Sequence, residues 1–314
     1  MGLARKILTL CEHKGVKGNR KITKRLQKNR LMASTKKCRI CKNKMKLRKR
    51  QNKDGYQWIC QQRAHNEKVT KSCRSGSIFD KTKTSLQNWM TFIYRFSQGL
   101  RLRQVDMVQD GIAGSSATLT KMTRKLRLVC RKALKMFKRK TGQRMGGRRE
   151  FIVIDESNIR HKRKYGQGRA GQTWKRKKWV FGMLAIKGQR RRPVLRLVER
   201  RSRDHLLPII RRHVRQGSTI LSDEWRSYRA LSNLGYSHYS VNHSRYFVDP
   251  NHGGHTQNIE RAWLTYKSQI WRLKGNRTEK LLKEHLCFIE WTYWLGYKHK
   301  DGPLGRLLKD IKSY

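Results

Sequence analysis

An α/β protein with a mixed-sheet core, preceded by a zinc ribbon and a helical, helix-turn-helix-like region, is the fold class this sequence predicts. Three observations predict it. After residue 150, short β-branched apolar runs alternate with helical patterns. Before residue 75, four cysteines stand at spacings suited to a metal ion. Between these regions, apolar residues recur at three- and four-residue steps.

The chain has 314 residues, enough for two or three small domains. Lys and Arg total 77 against 20 Asp and Glu, a formal net charge of +57. A polyanion is the partner such a charge demands, and nucleic acid is the first choice because basic side chains displace counterions from phosphates. A membrane is the rival. The sequence lacks an apolar run near the ~20 residues of a spanning helix, a signal peptide or a myristoylation signal, since position 6 is Lys6. The seven cysteines are an odd number without a secretion signal, which points to a reducing compartment.

Residues 1–35 form a basic arm, expected to be partly disordered. Residues 36–82 carry the ribbon, read as two small hairpins joined by a metal, with a turn at Asp54-Gly55. Residues 83–140 are helical. Leu86, Trp89, Met90, Ile93 and Phe96 give one apolar face. Two further helices over 101–136 are divided at Asp110-Gly111, the second capped by Ser115 or Ser116. Residues 141–149, with three glycines, form a linker.

The core spans 150–275. Phe151 to Ile154, Trp179 to Ile186 and Val194 to Val198 are its first three strands. Leu206 to Val214 is a helix with Pro208 in its first turn. Ser218 to Leu221 is a strand, Arg226 to Leu234 a helix stopped by Gly235, and Tyr239 to Val241 a strand. Ile259 to Trp271 is a long amphipathic helix carrying Trp263 and Trp271. Residues 276–314 form a C-terminal helical extension.

Cys38 and Cys41 have knuckle spacing, so two thiolates can take two corners of a tetrahedron. Cys60, after the aromatic strand Tyr56 to Ile59, supplies a third ligand. His65 is favoured as the fourth, with Cys73 as the fallback. Such an ion is structural, because so small a segment has little core without it. The alternative is a set of ordinary reduced cysteines. In the helical region, the second helix turns Thr118, Lys121, Arg124 and Lys125 to one side, as a helix entering a major groove would. The plainer reading is a packing layer with a solvated basic face.

Acidic residues are scarce, so each needs a reason. Asp155 ends the first strand, Asp223 ends the fourth, and Glu260 opens the long helix. Carboxyl ends of adjacent central strands can set two carboxylates side by side, and a helix across that edge can add a third. Such a cluster suits two Mg²⁺ or Mn²⁺ ions roughly 3.5–4 Å apart. Taken singly, a strand-terminal Asp is often a turn residue and a helix-opening Glu often answers the dipole. Glu156 and Glu224 alternate away from their neighbours and are not expected as ligands.

At these residues the chain resembles the Merlin superfamily of DDE transposases and related bacterial insertion-sequence transposases. The matching text includes Val153-Ile154-Asp155-Glu156-Ser157, Trp179-Val180-Phe181-Gly182, Arg201-Ser202 and Leu206 to Ile210. It continues through Gly217 to Trp225, Tyr228, Gly235-Tyr236 and His238. Val241 to Ser244, Phe247 to Pro250, His255-Thr256, Ile259-Glu260 and Trp263 follow, as does Ser75 to Phe79 near the ribbon. The resemblance implies an RNase H-like catalytic core with Asp155, Asp223 and Glu260 as its metal-binding triad. Some bacterial relatives use Asn for the third acid, and Asn258 is nearby. Lys267, two helical turns beyond Glu260, is a candidate contact for the transposon end or a solvated lysine.

The expected function is cut-and-paste transposition: binding double-stranded terminal inverted repeats, cutting them, and joining 3′-hydroxyls to target DNA, with a homodimer or higher oligomer holding both ends. The rivals are a domesticated, non-catalytic DNA-binding protein, a structure-selective nuclease of related fold, and an RNA-associated basic protein. The basic run Lys175 to Lys178 suits nuclear residence in a eukaryotic host. In a bacterium the site is cytoplasm or nucleoid.

Overall fold

The computed structural model describes residues 2–12, 15–62, 65, 67–99, 104–142, 144–159, 179–241, 257–272 and 278–313. They divide into two compact units, Met1–Lys132 with Gly296–Tyr314, and Ala133–Leu295.

In the first unit the N-terminal residues are helical, not partly disordered as the charge suggested. α1 (Leu3–Glu12) and α2 (Gly15–Lys28) bury Ile7, Ile22 and Leu26. These few apolar residues, a turn apart among Lys and Arg, are easily overlooked, yet they suffice for one packed stripe. α2 is tied down by Thr23 Oγ1, which donates to Asp54 O at 2.9 Å. β1 (Lys46–Lys49), β2 (Tyr56–Cys60) and β3 (Val69–Ser72) form one antiparallel sheet in that order, in place of two separate hairpins. Arg74, buried beside this sheet, donates to both Asp54 oxygens at 2.5 and 2.7 Å.

α3 (Leu86–Ser97) follows the apolar periodicity, and its N-cap Ser85 accepts from Asn88 N–H at 3.1 Å. α4 (Gln104–Gln109) and α5 (Ser116–Thr141) flank Gly111, whose φ of 64° is left-handed backbone that favours glycine. Ser115 caps α5 by accepting from Thr118 N–H at 3.2 Å.

The second unit is built on a five-stranded sheet. β4 (Phe151–Ser157), β5 (Trp179–Lys187) and β6 (Arg190–Val198) pair antiparallel, while β7 (Thr219–Ser222) and β8 (Ser237–Ser240) run parallel to β4. The order is β6-β5-β4-β7-β8, a mixed sheet with β5 alone reversed. The segment before it is no free linker. Met145 is fully buried, donates to His213 O at 2.7 Å and accepts from Arg215 N–H at 3.0 Å. Gly146 lies so close to Ser218 that a Cβ there would sit 2.0 Å from its Oγ.

α6 (Arg203–His213) begins three residues earlier than the apolar run, so Pro208 falls inside it. The expected helix over Arg226 to Leu234 is two 3-10 turns, Arg226–Tyr228 and Ser232–Leu234. Side chains fix this irregular backbone: Ser227 Oγ and Trp225 Nε1 both donate to Arg201 O at 2.8 Å.

α7 (Gln257–Arg272) packs on β4 and β5, and α8 (Glu279–Trp291) packs on β6. Ile259, Trp263, Tyr266 and Ile270 of α7 share one core with Val153, Val180, Leu184 and Leu195 of the sheet and Leu282, Leu286 and Ile289 of α8. The helix expected as a C-terminal extension therefore belongs to this core. A π-turn, Thr292–Gly296, follows it, and α9 (Gly302–Lys312) belongs to the first unit.

Glu290 anchors α8. Its side chain is 2% exposed and meets Lys138 Nζ and Arg196 Nη1, each at 2.5 Å, and Leu195 N–H at 2.8 Å. Burial raises the carboxyl, but Arg196, Lys138 and the amide outweigh it and hold the group below the usual carboxylate range. Removing one partner of a buried pair costs 3–5 kcal/mol, and both cations here can turn towards water. Glu290→Ala is expected to lose about 3 kcal/mol in urea unfolding; a loss within surface-pair size, under ~1 kcal/mol, contradicts the anchoring role.

Candidate functional site

The ribbon gathers Cys38, Cys41, Cys60 and His65, whose ligand atoms all lie within 4.8 Å of one another. His65 Nε2 is 3.4 Å from Cys38 Sγ and 3.3 Å from Cys60 Sγ, and Cys41 Sγ is 3.6 Å from Cys60 Sγ. Tetrahedral ligands at Zn–S ~2.3 Å and Zn–N ~2.0–2.1 Å stand about 3.5–3.8 Å apart. The observed edges fit, and three sulfurs with one imidazole are a donor set zinc accepts. The cluster could hold a zinc ion. Cys73, the fallback ligand, lies elsewhere: its thiol faces Asp54 Oδ2 at 3.6 Å, and burial with the Asp54 charge pushes it up to about 12.

Lys121 and Arg124 are exposed on α5, whereas Lys125 is not part of that face. Its ammonium donates to Ile78 O at 2.8 Å and Asp80 O at 2.7 Å. These bonds tie α5 to the segment after the ribbon.

In the second unit, β4 and β7 are parallel neighbours with Val153 opposite Leu221. Asp155 and Asp223 each follow two residues after this last pair, Asp155 still within β4 and Asp223 just past the end of β7. Asp155 Oδ1 accepts from Glu156 N–H at 2.7 Å, and Oδ2 accepts from Trp263 Nε1 at 2.9 Å. Asp223 Oδ1 accepts from Trp225 N–H at 3.1 Å. Glu260 is exposed in the first turn of α7, and Lys267 is half-buried two turns along. Burial pushes the Asp155 carboxyl up to about 6, with the charges of Asp223 and Glu260 adding to the rise and the two N–H donors opposing it. Each of the three acids thus enters one electrostatic neighbourhood.

Glu156 alternates to the opposite face, as strand geometry requires. It is buried, accepts from Tyr228 Oη, and lies 4.0 Å from Arg201 Nη1. Burial pushes it up to about 7, and Asp155 and Asp223 contribute to the rise. The Arg201 guanidinium is stacked 4.3 Å from the Trp179 ring centroid and 4.5 Å from that of Trp225. Arg201, Trp225, Tyr228 and Trp263 carry no signal in the sequence that would mark them as partners of the carboxylates. Their shared signal is physical: all four hold the carboxylates or the backbone beside them.

Asn242 to Ser244, Phe247 to Pro250, His255, Thr256 and the run Lys175 to Lys178 lie outside the described residues, as does the side chain of Trp271. Among the described residues, no helix is long and apolar enough to cross a membrane.

Residues 145–285 match a family described as the ISXO2-like transposase domain. An uncharacterized transposase-like protein of Haemophilus influenzae is 34% identical over 91 residues, which are 28% of this chain and 69% of that protein. The match begins at the buried Met145 segment and takes in the sheet, Asp155, Asp223 and α7. On these grounds the chain belongs to the insertion-sequence transposases that carry the ISXO2-like transposase domain.

Proposed function

We propose that this protein is a cut-and-paste DNA transposase with an RNase H-like core, in which Asp155, Asp223 and Glu260 hold two catalytic Mg²⁺ or Mn²⁺ ions. The observation that carries the reading is the parallel β4–β7 pairing, whose last partners Val153 and Leu221 stand two residues before Asp155 and Asp223, with Glu260 in the first turn of α7, which packs on β4. The mixed sheet with its single reversed strand supports the RNase H-like assignment. Hard oxygen donors are the set Mg²⁺ takes, and an elevated Asp155 among like charges is relieved by a divalent cation.

Bound metal supplies Lewis-acid stabilisation of the attacking and leaving oxygens. The residues do the rest. Asp155, Asp223 and Glu260 would hold the ions in place, and the ions would offset the repulsion between these carboxylates and the scissile phosphodiester. Water attacks the scissile phosphorus and the P–O3′ bond breaks to free a 3′-hydroxyl; that hydroxyl then attacks a target phosphorus in line, displacing the target strand's own 3′-oxygen as the leaving group. Lys267, on the Glu260 side of α7, contacts the transposon end. Lys121 and Arg124, with the ribbon stabilised by zinc, bind the terminal inverted repeats through phosphate contacts. Processing two ends together requires a dimer or higher oligomer. The DNA, and therefore the protein, resides in the nucleus of a eukaryotic host or the cytoplasm of a bacterial one.

Duplexes carrying the DNA that flanks the gene provide the test, incubated with Mg²⁺ or Mn²⁺ and either the wild type or Asp223→Ala. Nicking at the ends by the wild type alone supports the reading. End binding without cleavage by either protein favours a non-catalytic binder, and cleavage that survives the substitution removes Asp223 from the site.

A further inference from the structure

Directly across the β4–β5 pair from Asp155 stands Gly182, the single glycine of β5. Its backbone needs no glycine, because it is ordinary strand. The reason is the space above it. A Cβ on Gly182 would lie 2.5 Å from Cζ2 and 2.8 Å from Cη2 of Trp263, closer than atoms can approach, and 3.5 Å from Leu195 Cδ2. The six-membered ring of the indole occupies the place of the missing side chain. From there it reaches the carboxylate opposite, and Nε1 donates to Asp155 Oδ2 at 2.9 Å. Trp263 is 4% exposed, set edge to face against Tyr266 with ring centroids 5.9 Å apart, and belongs to the core between α7 and the sheet.

From this we infer that Trp263 is a positioning residue for Asp155 and that Gly182 is the seat that makes the contact possible. The proposal rests on the reading of Asp155 as a metal ligand. Each Asp155 oxygen accepts one N–H, from Glu156 on one side and Trp263 on the other. Together the two donors fix the carboxylate plane and leave the remaining lone pairs for a cation. Outer partners of this kind orient the ligand before metal arrives, so no ordering cost falls on binding. The plainer reading is that a buried indole N–H needs an acceptor and Asp155 happens to provide one. That reading predicts a stability loss without a change in metal affinity.

Mn²⁺ binding to the full chain, followed by the paramagnetic resonance of the free ion, separates the two. Trp263→Phe keeps an aromatic ring and deletes the donor. A cleaner variant carries 3-benzothienylalanine at position 263, which keeps the bicyclic shape and lacks only the N–H. Gly182→Ala keeps the donor and takes away its seat. All three are expected to weaken Mn²⁺ binding about 10- to 100-fold. The benzothienyl variant should also keep its metal-free melting temperature within a few degrees of the wild type. In the Trp263→Phe background, Gly182→Ala should weaken Mn²⁺ no further, because the contact it breaks is already gone. Wild-type Mn²⁺ affinity in the benzothienyl variant, alongside a lost affinity in Asp155→Asn, overturns the positioning role and leaves the ligand assignment standing. Unchanged affinity in Asp155→Asn removes the ligand assignment, and the proposal falls with it.

Discussion

Asp155→Asn is expected to leave a folded protein that neither binds catalytic metal nor cuts DNA. Asn keeps the size of the side chain and one acceptor oxygen, so either Glu156 N–H or Trp263 Nε1 retains its partner. What disappears is the charge, and a neutral amide is a poor ligand for a hard dication. Loss of one carboxylate from the cluster should lower cleavage at least ~1000-fold, equivalent to about 4 kcal/mol. Stability measurements read the same effect without DNA. At 100 times its dissociation constant, Mn²⁺ should stabilise the wild type by about 2.7 kcal/mol and leave Asp155→Asn unmoved.

Asp155 also contributes to the pH dependence of the metal-free wild type, beside Glu156, which is raised in the same sense, and His213, which is lowered and opposes them. Folded, the Asp155 carboxyl titrates at about 6, above its ordinary value of 3.8. Between those values Asp155 holds more proton in the folded state than in the unfolded one, so its contribution to stability falls as pH rises through the window. Asp155→Asn should flatten that part of the curve. A substitution that left both the metal-induced shift and the slope intact would contradict the assigned charge at this site.

Zinc removal is the second large effect. The ribbon's strands are four or five residues long, and their ends are gathered by Cys38, Cys41, Cys60 and His65. Apparent zinc binding of ~10–16 kcal/mol in small zinc domains is folding free energy, more than so small a sheet can replace with apolar burial. His65→Ala or a strong chelator is therefore expected to release the metal and unfold residues 36–82, read as lost protection of β2 amides from hydrogen exchange. Cys73→Ser should retain one zinc per chain, since that thiol serves Asp54 and not the cluster. A chain that kept its ribbon protected after metal removal would contradict the structural role.

Elements governed by local pattern were legible in the sequence. Phe151 to Ile154 and Ser218 to Leu221 read as buried strands because their apolar runs end at an acid, and the α3 face read from its spacing alone. The cysteine spacing announced a cluster that could hold a metal ion. Other features depend on contacts between distant residues, and no window of sequence contains them. The turns at Arg226–Tyr228 and Ser232–Leu234 replace a helix because Ser227 and Trp225 are tied back to Arg201. Lys125 stands beside Lys121 and Arg124 in the sequence, and two carbonyls from the segment after the ribbon accept from its ammonium. The N-terminal helices were masked by charge, because composition outweighs three buried apolar residues in any average. Gly182 did carry a sequence signal. A glycine inside an apolar strand marks the close approach of another group, and here that group is the Trp263 ring.

The central claim is that these carboxylates both cut transposon ends and join them. It is tested most directly by mixing wild-type protein, Mg²⁺, a pre-cleaved duplex end with a free 3′-hydroxyl, and supercoiled plasmid, then sequencing the products. The account predicts junctions in which that 3′-hydroxyl is linked to plasmid phosphate, absent when Asp155 is Asn. Cutting of the uncleaved end without any joining from the pre-cleaved one would contradict it and leave a nuclease in its place.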